Sequence, residues 1–281
     1  SPGQQRLLMV TRVLAAEPKL IVMDELTHGI KSPQGLSQLF HMVRRLAERD
    51  VTCLMGNREE WFAYGLPDPR PEWMHQAEVD HHVWMHARLD GELRDAVAAF
   101  YGRQFGHPLT RDEVVVTCGA KHALYLALQV LCNEGDEVAY ANPYWVSYPE
   151  MAHLAGAVPV EVPTRSEDGF RVDPEVLRSV LTDKTRVLIV NSPSNPSGAV
   201  LDRANLEAIV EIAAQSGVWV VSDEIYDQLY YGESRPTGLM DLGPAAVQRG
   251  LVINGVSKTY GMTGWRIGYA MGPSQVIKLM T

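Results

Sequence analysis

The sequence holds few cysteines, no long apolar run and no excess of positive charge. Its three cysteines, Cys53, Cys118 and Cys132, cannot all pair, and no C-x-x-C spacing occurs. They are expected to be reduced, small and buried, as in a cytosolic protein. No apolar run approaches the roughly 20 residues that a membrane span needs. No basic, apolar, small-residue leader opens the chain. With a net charge of −9 and a pI near 5.5, the chain lacks the basic stripe of a nucleic-acid binder. Nor does it favour an anionic membrane surface. There is no G-x-x-x-x-G-K-[ST] loop, no fixed-period repeat and no low-complexity linker. A cytoplasmic protein without nucleic acid or membrane insertion is expected.

What is present is an ordinary globular composition, 46% hydrophobic and 21% charged over 281 residues, enough for one large domain or two modest ones. The texture changes near residue 60. Before it, "QQRLLMVTRVLAAE" and "GLSQLFHMVRRLAERD" have helical apolar spacing, and "KLIVMDE" and "VTCLMG" are short apolar runs. After it, seven strand-like runs alternate with helical stretches: Val114–Thr117, Glu137–Ala141, Val158–Val162, Arg186–Asn191, Val218–Asp223, Leu251–Gly255 and Arg266–Met271. Several are β-branched without strict alternation, as in strands covered on both faces. The pattern predicts an α/β fold: a mostly parallel seven-stranded sheet sandwiched by helices, preceded by a short α/β remnant.

In such sheets chemistry gathers at the carboxyl ends of strands. Five polar sites fall at strand or helix boundaries. "VTCGAK" brings Gly119, Ala120 and Lys121 to a helix start, whose free N–H groups suit a phosphate. "VNSPSNPSG" places Asn195 between prolines. "VVSDEIYD" delivers Asp223 and Tyr226, "GVSK" delivers Ser257 and Lys258, and "GWRIG" supplies Arg266. Singly, each has a plain reading: a helix cap, a solvated lysine, a turn. As an ordered set they match what pyridoxal 5′-phosphate requires: a lysine for a Schiff base, an acid for the pyridinium, amide and phenol donors for the phenolate, and an anion cradle.

The phrases "GLPDPRPEW", "GELRDAVAAFY", "VTCGAKHALYLAL", "GDEVAYANPYWVSYPEM", "NSPSNPSG", "VSDEIYDQL" and "SKTYGMTGWRIGY" resemble the large domain of fold type I, class I/II aminotransferases, nearest the aspartate/aromatic branch. The resemblance covers residues 61–281, roughly three quarters of the chain. It implies pyridoxal phosphate as cofactor and amino transfer between an L-amino acid (aspartate, glutamate or aromatic) and a 2-oxo acid. It also implies a homodimer. Lys258 would form the Schiff base and carry the proton, its pKa lowered by cationic neighbours and partial burial. Asp223 would pair with the ring nitrogen, and Tyr226 and Asn195 would hold the phenolate oxygen. Ser257, Arg266 and the Gly119–Ala120–Lys121 turn would hold the phosphate, and Trp145 would lie over the ring. Gly65, with Trp145 and Asn195, would line the substrate side.

The chain departs from the family in three places. His86 of "HARLDG" stands near a position where the family has a tyrosine. His75, His81, His82 and His86 cluster there, His82 and His86 four apart, but without further ligands they read as a polar helix face and no metal is expected. The family's C-terminal small domain, with the arginine that clamps the substrate carboxylate, has no counterpart after Thr281 and is expected to be missing. Residues 1–60 instead resemble part of an ABC-type ATPase cassette: "SPGQQR" is similar to the signature loop, and "LIVMDE" to a Walker B strand ending in Asp24 and Glu25. Lys31 and Asn57 stand where that family's D-loop aspartate and switch histidine fall. Two alternatives to an active aminotransferase therefore stay open: a non-catalytic cofactor-binding fragment, or an ATP-binding cassette fragment.

Overall fold

The structure, a computed structural model, describes residues 20–23, 52–55, 90–106 and 108–281. The chain divides into two compact units, Ser1–Arg70 with Tyr260–Arg266, and Pro71–Thr259 with Ile267–Thr281. In the first unit β1 (Leu20–Met23) and β2 (Thr52–Met55) pair in parallel, Leu20 opposite Thr52. These are the two apolar runs read from the sequence. The flanking helical stretches lie outside the described residues, as do Asp24, Glu25, Lys31, Asn57, Gly65, His75, His81, His82 and His86.

The second unit is built on a seven-stranded sheet: β3 (Val114–Thr117), β4 (Glu137–Asn142), β5 (Val158–Pro163), β6 (Thr185–Asn191), β7 (Trp219–Asp223), β8 (Gly250–Gly255) and β9 (Gly268–Met271). Their order across the sheet is β3-β9-β8-β7-β6-β4-β5. Six strands run in one direction, five of them paired in parallel (β4 to β8); β9 alone is reversed, antiparallel to both its neighbours, β3 and β8. All seven expected strands form. The last is shorter than the expected Arg266–Met271, because Arg266 adopts a left-handed backbone (φ 52°) that cannot extend into a strand. At the outer edge, β5 carries Pro159 and Pro163, which withhold backbone donors from a further strand.

Side chains alternate across the sheet. Val187 and Ile189 of β6 join one core, Leu188 and Val190 the other. The first core is closed by α2 (Ala120–Leu131), α3 (Ser147–Leu154) and α8 (Ser274–Leu279). The second is closed by α1 (residues 90–105), α4 (Pro174–Val180) and α5 (Arg203–Gln215). Short helices α6 (Pro244–Val247) and α7 (Val256–Thr259) flank β8. α2 buries Ala123, Leu124, Ala127 and Leu128, the i, i+1, i+4, i+5 stripe of one helix face. α5 starts where the Asp202 carboxylate accepts from the Asn205 N–H at 2.8 Å, and it stops at Gly217, whose φ of 69° ends the helix. Two faces thus receive helices, and what remains open is the strand ends.

Candidate functional site

Sheet register gathers the carboxyl ends of four strands. Asn191 of β6 stands opposite Asp223 of β7, and Asp223 opposite Ile253 of β8. Because β9 is reversed, its first residue, Gly268, meets both Gly255 at the end of β8 and Thr117 at the end of β3. The turns that follow these ends carry Gly119 to Lys121, Asn195, Tyr226, Ser257 and Lys258.

Asp223 is the most constrained of them. It is 3% exposed. Its Oδ2 accepts from the Tyr148 hydroxyl at 2.8 Å and its Oδ1 from the Ile225 N–H at 3.3 Å. No cation pairs with it among the described residues. Burial pushes its carboxyl up to about 6, against the pull of those two hydrogen bonds. Tyr148 is buried too, and burial, with the Asp223 carboxylate beside it, pushes its phenol well up. The Tyr148 ring meets Trp145 edge-on at 5.6 Å and Tyr140 at 6.0 Å, which holds the hydroxyl on its partner. Over Trp145 lies the Lys121 ammonium, 4.9 Å from the ring centroid.

On the other side, the Asn191 amide donates to the Asp223 carbonyl at 2.9 Å and its Oδ1 accepts from the Asn195 N–H at 2.8 Å. Asn195 Nδ2 donates to the Tyr226 hydroxyl oxygen at 3.4 Å. Lys258 Nζ lies over the Tyr226 ring, 5.7 Å from its centroid. One unbroken series of contacts therefore runs Lys121–Trp145–Tyr148–Asp223–Asn191–Asn195–Tyr226–Lys258. The structure brings together the sequence-read acid, amide, phenol, lysine and indole.

The helix start is shaped for an anion. Gly119 (φ 87°) caps α2 without a side chain, and the Ala120 and Lys121 N–H groups have no partner among the described residues. Gly268 makes this possible: a Cβ there would lie 2.2 Å from the Ala120 nitrogen. Only a bare glycine lets strand and helix start meet so closely.

Two expectations change. Lys258 is exposed rather than partly buried, because α7 carries it past the end of the sheet. Cys118 is exposed, since it follows the last residue of β3 in the turn; Cys132 is buried, and neither is joined in a disulfide. Arg266 falls in the segment Tyr260–Arg266 of the first unit, and its Nη1 donates to the Thr263 carbonyl at 3.1 Å. Ser257 sits on α7 beside Lys258, and Gly65 lies outside the described residues. Tyr148 and Asn191 escaped the sequence reading. The only sequence signal for Tyr148 was its place in "PYWVSY", three residues after Trp145.

An α/β sheet whose strand ends hold a buried acid, an amide–phenol pair and a lysine beside an uncapped helix start defines a cofactor-binding α/β domain. Its family follows from the comparisons. The aminotransferase class I and II pattern matches residues 69–281, and the chain belongs to that family. It is 46% identical over 189 residues to an aspartate aminotransferase of Geobacillus stearothermophilus, covering 67% of this chain and 48% of that protein. It is 42% identical over 227 residues to an aspartate aminotransferase of Streptomyces avermitilis, covering 78% and 56%. Among solved structures it is similar to a Thermus thermophilus aspartate aminotransferase with maleate (TM-score 0.64, 46% identity, covering 68% and 49%). It is also similar to an aromatic aminotransferase of Pyrococcus horikoshii (TM-score 0.65, 36% identity, covering 77% and 59%). The chain spans about half the length of the curated relatives it matches.

The family works with pyridoxal 5′-phosphate, and the described residues fit that group. A buried carboxylate without a cation suits a protonated ring nitrogen. The unpartnered amides of Ala120 and Lys121 suit a phosphate. Among the described residues no cluster of His, Cys, Asp or Glu could hold a metal, and no helix is long and apolar enough to cross a membrane.

Proposed function

We propose that this chain is the large domain of a pyridoxal phosphate-dependent aminotransferase, moving an amino group between an L-amino acid of the aspartate, glutamate or aromatic kind and a 2-oxo acid. The observation that carries this is Asp223: buried, hydrogen-bonded through both oxygens, and without a cationic partner among the described residues. Burying a carboxylate in that way is costly unless a positive group joins it. The names of the relatives support the substrate class.

When bound, the cofactor supplies an aldehyde for amine capture and an electron-withdrawing ring. The protein's part follows from the geometry. Asp223 would hold a proton on the ring nitrogen, and Tyr148 would keep the carboxylate aimed. Asn195 and Tyr226 would donate to the ring oxygen from one direction. The Gly119–Ala120–Lys121 turn, Ser257 and Arg266 would fix the phosphate, Arg266 through its planar fork. Trp145 would shield the ring face from water, with Gly65 on the substrate side. Lys258 Nζ, exposed over Tyr226, would capture the aldehyde and then carry the proton at the substrate α-carbon.

We place this activity in the cytoplasm and expect a homodimer, as is usual in the family. Residues 61–281 would form the aminotransferase part, and residues 1–60 a separate segment similar to an ATPase cassette, for which the parallel β1–β2 pair offers modest support.

The test is to add pyridoxal phosphate to the purified chain and record visible absorbance before and after aspartate, glutamate or phenylalanine, with Lys258→Ala as control. A Lys258-dependent band that bleaches with amino acid supports the reading. A band that ignores amino acid makes the chain a cofactor-binding fragment. Absence of any lysine-dependent band overturns it.

A further inference from the structure

Asn191 is the last residue of β6, half-buried, and its side-chain amide is used at both ends. The Nδ2 donates to the main chain of Asp223 at 2.9 Å, and the Oδ1 takes the main-chain N–H of Asn195 at 2.8 Å. The loop that follows closes on itself: Ser194 N–H to the Ala199 carbonyl at 2.9 Å, Gly198 N–H to the Ser194 carbonyl at 2.8 Å, and Leu201 N–H to the Ser192 hydroxyl at 3.0 Å. Those bonds fix the loop's shape but not its placement beside β7. Among the described residues its other polar tie to residues 223–227 is the Asn195–Tyr226 contact, which is long at 3.4 Å. A weak contact depends on how well its partners are held.

We propose that Asn191 is a positioning residue that locks the Asn195 loop to the Asp223 strand end, so that the groups meant for the cofactor's ring nitrogen and its ring oxygen are set by one amide. This rests on the proposed roles of Asn195 and Asp223. It makes a separable claim about the unloaded chain, because the brace involves no cofactor atom. The two ends can be cut apart. Asn191→Asp keeps an acceptor for the Asn195 N–H but turns the donor facing the Asp223 carbonyl into a second acceptor. Asn191→Ala removes both.

The experiment is amide hydrogen exchange at Asn195 in the unloaded full chain, followed by pH titration of the cofactor's absorbance in the loaded one. Asn191→Ala should speed exchange at Asn195 about tenfold, the equivalent of one ordinary hydrogen bond. Asn191→Asp should leave that exchange closer to the parent. In the loaded chain Asn191→Ala should shift the titration in the same direction as Asn195→Ala, and should add nothing in the Asn195→Ala background. Unchanged exchange in Asn191→Ala overturns the proposal. So does an Asn191→Ala effect that persists undiminished in the Asn195→Ala background. If Asn191→Ala does not fold, Asn191→Asp carries the test, and loss of Asn195 protection in it overturns the proposal. If the parent chain binds no pyridoxal phosphate, the functional reading fails while the exchange result still decides the role of Asn191.

Discussion

The Tyr148 hydroxyl donates to Asp223 Oδ2 at 2.8 Å across 75 positions of sequence, and the two residues are 2% and 3% exposed. A phenol aimed at a buried carboxylate favours the ionised form that burial opposes. Removing the hydroxyl with Tyr148→Phe should raise the Asp223 carboxyl further above about 6. Carboxyl ¹³C NMR of the unloaded chain reads this directly. Above that pH the variant should lose roughly 1–3 kcal/mol of stability, the usual penalty for a buried acceptor that loses its donor. An unmoved titration would show that the hydroxyl does not tune the acid.

The unloaded chain should become less stable as pH rises from about 4 to 7. Asp223 and Glu224 are held up at about 6 and about 7, both by burial, from ordinary values near 4. A carboxyl raised in the folded state gives stability that is complete below its unfolded pKa and lost as pH passes its folded pKa. Denaturant midpoints across that range check the slope. Glu224→Gln should remove the upper part of it, while keeping an acceptor for the Leu239 N–H and the Ser222 hydroxyl.

Pyridoxal phosphate should reverse the lower part. A ring cation beside Asp223 favours the carboxylate, so the loaded chain should gain thermal stability that grows between pH 5 and 7 by mass action. Asp223→Asn should lose that pH dependence. A pH-independent gain in the parent would mean that the ring nitrogen does not meet Asp223.

Gly268→Ala should damage the helix start and spare the sheet. The added carbon would fall 2.2 Å from the Ala120 nitrogen, and backbone atoms must move to admit it. Overpacking of this kind costs on the order of 1–3 kcal/mol. Pyridoxal phosphate affinity should fall by more than stability alone explains, which a comparison of binding and melting would reveal.

The strands could be read from sequence because β-branched runs such as "RVLIVN" and "VWVVSD" are local signals. Their polar ends were legible for the same reason, and the Asn195–Tyr226 pair was expected from two phrases 31 residues apart. Direction was not legible: nothing in "GYAM" says that β9 runs against its neighbours, since that depends on the connection before it. Tyr148 and Asn191 were missed because their roles are hydrogen bonds to a strand end 75 and 32 residues away. Lys258 looked half-buried because its exposure depends on how α7 leaves the sheet, which composition does not encode.

The order β3-β9-β8 has a consequence in time. β3 is the first of the seven strands to be synthesised, and its one neighbour among the described strands, β9, is the last. Until residue 271 has left the ribosome, β3 has no partner strand, and the helix start at Gly119 has no Gly268 to rest on. The lysine emerges earlier, at position 258. A nascent chain would thus present its amine before Gly268 arrives to complete the packing of the helix start.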